Sequence, residues 1–287
     1  MRAAILTGFL LLASVAGAQP ILKSTQLAVS EGSLAEPHDA AFSPDGALLY
    51  VTDMGNSRVR VFEAMTLRLR GTFGEKELSR PHDAAFDKAG RLLVADTGND
   101  RIAIYAVTGA QAKLVGELKG LSGPEGVAVA PDGRVVVTNT RGATLSVFRD
   151  GKLERSVGRR GSRDGEFANP HDVEVAADGS VYVVDSGNDR VQVFDAAFKH
   201  KHTFGAELKL AGPKYLDLEG DRMWLADEDN HRILLLDSAG RALGQLGTGK
   251  RGQSANEFFK PEAVLARTPH VWVIDTYNNR IVLLRVQ

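Results

Sequence analysis

The sequence predicts an all-β fold, a ring of six four-stranded blades, from three observations: one phrase repeated six times, the period of that repeat, and hairpin turns at fixed places within it. The phrase is a proline, an apolar strand, a Gly-containing turn, a strand ending in Asp, then a short turn and usually an Arg before another strand. Its copies begin at Pro37, Pro81, Pro124, Pro170, Pro213 and Pro261, at spacings of 44, 43, 46, 43 and 48 residues. That period suits a four-stranded propeller blade and is too long for leucine-rich or ankyrin units. Pro44-Asp45-Gly46, Pro131-Asp132-Gly133 and Ala177-Asp178-Gly179 supply the turn between the first two strands of their copies. A six-bladed β-propeller over residues 19–287 follows as a single domain.

Taken in chain order, Met1 and Arg2, the apolar run Ile5 to Val15 and the small residues Ala16-Gly17-Ala18 read as a signal peptide cleaved after Ala18. The expected location is the periplasm or the exterior. That apolar run is shorter than the roughly 20 residues of a membrane span, and no longer one follows. The chain has no Cys, so packing rather than disulfides must stabilise it and thiol chemistry is excluded. A formal net charge of −1 argues against a nucleic-acid partner. A small molecule, a peptide, a glycan or an envelope protein is the expected partner, and a monomer the expected state.

Ile21 to Val29 is strand-like and precedes the first copy, while the sixth copy runs out near Gln287 after its third strand. Placing that N-terminal stretch as the outer strand of blade six closes the ring and leaves no open edge. Third strands follow the blade Arg, as in Val59 to Phe62 and Ile102 to Tyr105, and a fourth ends at Gly in the first five copies.

Five copies carry Asp, Asn three later and Arg two after that, as in Asp96, Asn99 and Arg101. Because a site needs such a trio once and a scaffold needs it everywhere, these residues are read as turn scaffolding, with Arg forking onto a carboxylate. The third copy has Asn139, Gly142 and Thr144 instead, which predicts a reshaped turn.

The residue after each proline opens the innermost strand, so six equivalent positions ring the channel: His38, His82, Glu125, His171, Lys214 and Glu262. Here the copies differ over a constant frame, which is where function is grafted. Across a six-fold ring His38 faces His171, Glu125 faces Glu262 and His82 faces Lys214. Neutral imidazoles suit zinc, so His38, His82 and His171 are the candidate ligands of a divalent metal, zinc first. Glu125, Glu262 and Lys214 are the candidate acid–base groups. Metal affinity is expected to fall below about pH 6.5, where histidines protonate. Asp39, Asp83 and Asp172 follow the three His and are candidates to orient the imidazoles, or are the mark of a shared duplication. Arg159, Arg160, Arg163, Lys250 and Arg251 lie on longer loops that should rim the same face and attract an anion, or form solvated charged loops. Lys199-His200-Lys201-His202 reads as outer surface, and His231 and His270 carry no pattern.

The phrase Pro-His-Asp, then Val-Ala-Asp-x-Gly-Asn-x-Arg-Ile, as at Pro81 to Asp83 and Val94 to Ile102, resembles NHL repeats over essentially the whole span after residue 18. Within that family the Pro-His-Asp turn is similar to the turns that supply zinc ligands in the peptidyl-hydroxyglycine amidating lyases. The resemblance implies zinc held by three His above the channel, with a Tyr and an Arg near it; Tyr215 is one position that could stand there. It also implies a further ligand from outside the turn, and here the three His sit unevenly, on blades one, two and four. Two activities stay open: a binding propeller holding a metal ion or small ligand at the channel mouth, and a metal-dependent lyase or hydrolase. A purely structural interaction module is the third reading.

Overall fold

The computed structural model describes residues 19–254 and 256–287. The proposed signal peptide, residues 1–18, lies outside the described residues. Six four-stranded antiparallel sheets form the ring of blades. Their innermost strands are Pro37–Phe42, Pro81–Phe86, Pro124–Val129, Pro170–Val175, Pro213–Glu219 and Ala263–Arg267. Among the described residues no helix is long and apolar enough to cross a membrane.

The sixth sheet is completed by Ser24–Val29, which pairs antiparallel with Arg280–Val286, Ser24 opposite Val286 and Val29 opposite Val282. Closure by the N-terminal strand is therefore observed, over a shorter run than the sequence predicts. Ile21, assigned to the same strand, instead bridges Gln245 in blade five. The first described residues thus touch two blades.

Large apolar side chains pack between blades rather than within them. Trp272 of blade six is buried and donates its indole N–H to the Ala64 carbonyl of blade one at 2.6 Å. Tyr50 of blade one is buried and donates to the Gly109 carbonyl at the tip of blade two at 2.5 Å. A buried aromatic carries its polar end only where a partner waits for it.

The Asp-Asn-Arg trio has the scaffolding role its recurrence predicts. Asp96 is fully buried and its Oδ1 accepts the Ser79 N–H at 2.7 Å, two residues before Pro81, while Oδ2 accepts from Asn99 and from Arg101 Nε. The Arg101 guanidinium then donates to the Glu77 carbonyl. The other four complete trios repeat this clip, tying the turn to the loop that delivers the ring residue of the same blade. In blade three Asn139 Oδ1 takes the Ser122 N–H, and its amide donates to Thr144 and Ser146. The charged clip is replaced there by a neutral one.

Candidate functional site

Each ring residue is aimed by the backbone before its proline. Glu36, Arg80, Asn169 and Lys260 have φ of 46°, 50°, 96° and 48°, and Gly123 and Gly212 have 59° and 58°, so this position is left-handed in all six copies. Non-glycine residues adopt that conformation at a cost. In blades one and two it turns the preceding carbonyl onto the imidazole: Glu36 O lies 3.0 Å from His38 Nδ1, and Arg80 O lies 2.8 Å from His82 Nδ1. A carbonyl only accepts, so Nδ1 carries the hydrogen and Nε2 is left as a lone pair pointing into the channel.

Those lone pairs meet carboxylates. His38 Nε2 lies 3.2 Å from Glu262 Oε2, an oxygen that is buried and has no hydrogen-bond donor. Two acceptors in contact need a cation between them, either a proton or a metal ion. His171 Nε2 stands 3.3 Å from Glu125 Oε2, and His82 Nε2 stands 3.9 Å from Glu125 Oε1, so one carboxylate bridges two imidazoles. The His38 and His82 rings touch edge to face with centroids 4.5 Å apart.

Burial decides where protons sit. It pushes the His82 imidazole down to about 4 and lowers His38 and His171 as well, with neighbouring His82 adding to the effect at His38 and Lys214 at His171. It pushes Glu125 up to about 7 and Glu262 up to about 8, against the opposing charge of Lys214 on both. The imidazoles are thus neutral near pH 7 and the carboxyls are the groups that hold or release a proton there.

The arrangement fits a metal ion in part. Two ligands of a tetrahedral zinc with bonds of roughly 2.0–2.1 Å stand roughly 3.3 Å apart, close to the 3.2 Å and 3.3 Å His–Glu separations. Among the described residues, no three His, Asp or Glu side chains already share one metal position. A metal ion here would need a third ligand brought in by side-chain rotation.

Several expected placements differ. The ring residues contact neighbours, His38 with Glu262 and Glu125 with His82 and His171, rather than the partner opposite, because each side chain leans along the ring. Asp83 and Asp172 do not orient imidazoles; each accepts its own strand's next N–H and an N–H of the following blade, at Val127 and Leu216. Burial, and the nearby Asp83 after it, push the Asp39 carboxyl well above its ordinary range. Asp83 and Asp172 stitch the inner strands together. Gly126 follows Glu125 because a Cβ there would stand 2.7 Å from Asp172 Cα.

Tyr215, expected near a metal or on the rim, is 2 % exposed inside the channel, with its ring against His171 at 4.8 Å and its hydroxyl unpartnered. Lys214, a candidate acid–base group, is paired with Glu228 at 3.5 Å. Of the rim cations, Arg159 is held by Glu166 at 2.8 Å, Arg160 donates to the Arg141 carbonyl, and Arg251 lies over the Phe259 ring at 3.7 Å. These contacts favour the charged-loop reading for them. Arg163 and Lys250 remain on the same loops, with their backbone N–H groups bonded to Glu166 and Thr248. Sequence reasoning missed Glu228, a buried turn residue facing both Lys214 and Lys260.

The family model for the NHL repeat matches residues 78–105, 121–148 and 167–194. None of the curated proteins matches in sequence. Among solved structures, a streptogramin B lyase superposes with a TM-score of 0.68 at 12 % identity, over 93 % of this chain and 98 % of the other. A catalytically inactive His-to-Ala variant of virginiamycin B lyase from Staphylococcus aureus, solved with quinupristin, gives 0.66 at 13 %, over 92 % and 100 %. An auxiliary nutrient binding protein from Bacteroides ovatus gives 0.69 at 14 %, over 94 % and 78 %. At such identities the likeness is one of fold.

Proposed function

Starting from a six-bladed propeller that carries NHL repeats, we propose that this chain is an exported binding protein whose ring face, centred on His38, His82 and His171, holds a divalent metal ion, zinc first, or a small ligand. One observation carries the reading: the lone pair of His38 Nε2 faces a donorless carboxylate oxygen of Glu262 at 3.2 Å, in a ring where burial keeps the imidazoles neutral. Neutral imidazole and carboxylate are zinc's donors when thiolate is lacking. Glu36 and Arg80 would hold two of the ligand rings in the tautomer that binds.

A metal-dependent lyase or hydrolase is the second reading, supported by Glu125. Its carboxyl, pushed up to about 7, stands between two imidazoles where it could take a proton from a ligand and return it. Bound zinc would supply Lewis-acid polarisation of a ligand oxygen. That two neighbours in fold are lyases, one inactivated by loss of a His, is in keeping with such chemistry on this scaffold.

Calorimetric titration of zinc into the chelator-treated protein tests the first reading. Saturation near one equivalent is expected, with His38→Ala or His82→Ala losing more than the 10–100-fold typical of removing only a supporting hydrogen bond. His231→Ala and His270→Ala should titrate as the parent does. Equal affinity in all four variants would overturn it. Turnover of a peptidyl-hydroxyglycine or of a streptogramin B by the zinc-loaded protein would decide for the lyase.

A further inference from the structure

Tyr215, whose ring packs against His171, also lines a cavity of about 220 Å³. Asp39, Asp83, Asp172, Glu174 and Asp217 all line it. Arg267, stacked on the Phe42 ring at 3.9 Å, is a cation whose charge reaches one of them, Asp217. Five carboxyls against one distant guanidinium cannot all stay ionised out of water without a cation. Tyr215, which lines the same cavity, supplies an independent sign of an occupant: its hydroxyl is buried and lacks a partner. A phenol with nothing to bond is uncommon in a packed interior.

Apolar walls complete the cavity, including Phe42, Val129 and Leu265. Burial relaxes along the inner strands, from His171 and Asp172 at 3 % exposure to partly buried Glu174, so access is from the channel end opposite the histidines. The space holds roughly seven water-sized groups at about 30 Å³ each. Both oxygens of Asp83 and of Asp172 already accept backbone N–H groups, and among the described residues no three carboxyls share a metal position. An acid roof over apolar walls matches an alkyl chain ending in an ammonium group better than a bare ion.

We propose that this cavity is a second binding site, separate from the histidine ring, which takes a small aliphatic ammonium compound with its cation against Asp172, Glu174 and Asp217 and its chain along Phe42 and Leu265. Atoms on the two sites do not overlap, so the proposal stands apart from the metal reading.

The full chain is titrated calorimetrically with 1,4-diaminobutane, 1,4-butanediol and calcium chloride at one ionic strength. Saturable diamine binding is expected, with no response to the diol. Glu174→Gln should weaken the diamine at least tenfold; Glu174 takes no part in the inter-blade bonds, and Asp217→Asn, whose amide oxygen can still accept the Ala266 N–H, serves as the second variant. His38→Ala should bind the diamine normally while losing zinc, which separates this site from the ring. Calcium binding without diamine binding would overturn the proposal in favour of an inorganic cation. No binding of either would overturn it in favour of carboxyls that simply hold protons.

Discussion

At His38 and His82 the chemistry is set by the hydrogen on Nδ1, fixed by carbonyls that a left-handed residue turns inward. The pH limit that histidine alone implies, near 6.5, therefore does not govern the ring, because burial has already made the imidazoles neutral. Glu125 and Glu262 hold the protons that a metal would displace, so zinc affinity should keep rising up to about pH 8 and fall below it. A pH series of zinc titrations checks this; affinity levelling off at 6.5 would return control to the imidazoles. The lower cavity gives a stability prediction. Burial pushes the Asp217 carboxyl up to about 7, above its unfolded value, so its contribution is fully present below about pH 4 and lost as pH rises through about 7. Urea unfolding of the parent should weaken over that interval, and Asp217→Asn should flatten the dependence. The identities of the ring residues were legible in the sequence because they vary over a constant repeat. Their mutual contacts were not: which way a side chain leans depends on the φ of the residue before each proline, and neither Glu36 nor Arg80 announces a left-handed backbone.

Among the elements, the turn clip is the part of the blade most dependent on charge. Asp96 is fully buried while Arg101 shields it at 2.7 Å, so Arg101→Ala should leave a buried carboxylate uncompensated and cost about 3 kcal/mol by denaturant titration. Zinc affinity of the folded fraction should not change; a stable variant with weakened zinc binding would contradict the scaffolding role. Five-fold recurrence made this role readable without coordinates. The Asp after each ring His was harder, since a strand pattern cannot say whether a carboxyl serves an imidazole or a neighbouring backbone. Packing decides it: the inner strands approach so closely that Gly126 has no room for a Cβ against Asp172, and the N–H groups exposed there take the carboxylates.

Closing the ring also encloses the channel. Removing residues 19–30 would strip Ser24–Val29 from the sixth sheet and expose the edge of Arg280–Val286, which should lower stability by several kcal/mol, or about 10 °C in Tm for a domain of this size. An unchanged Tm would mean that the strand does not close the ring. Six rigid blades hold two unlike tiers on one axis, histidines with carboxylates above Tyr215 and carboxyls alone below it. The proposed metal site rests on the upper tier, where facing acceptors would share a cation. Metal analysis of the purified full chain, before any chelator, tests it most directly. A divalent transition metal near one equivalent, lost on His38→Ala and His82→Ala with the blades still folded, is the predicted result; a metal-free protein that also ignores added zinc would contradict it.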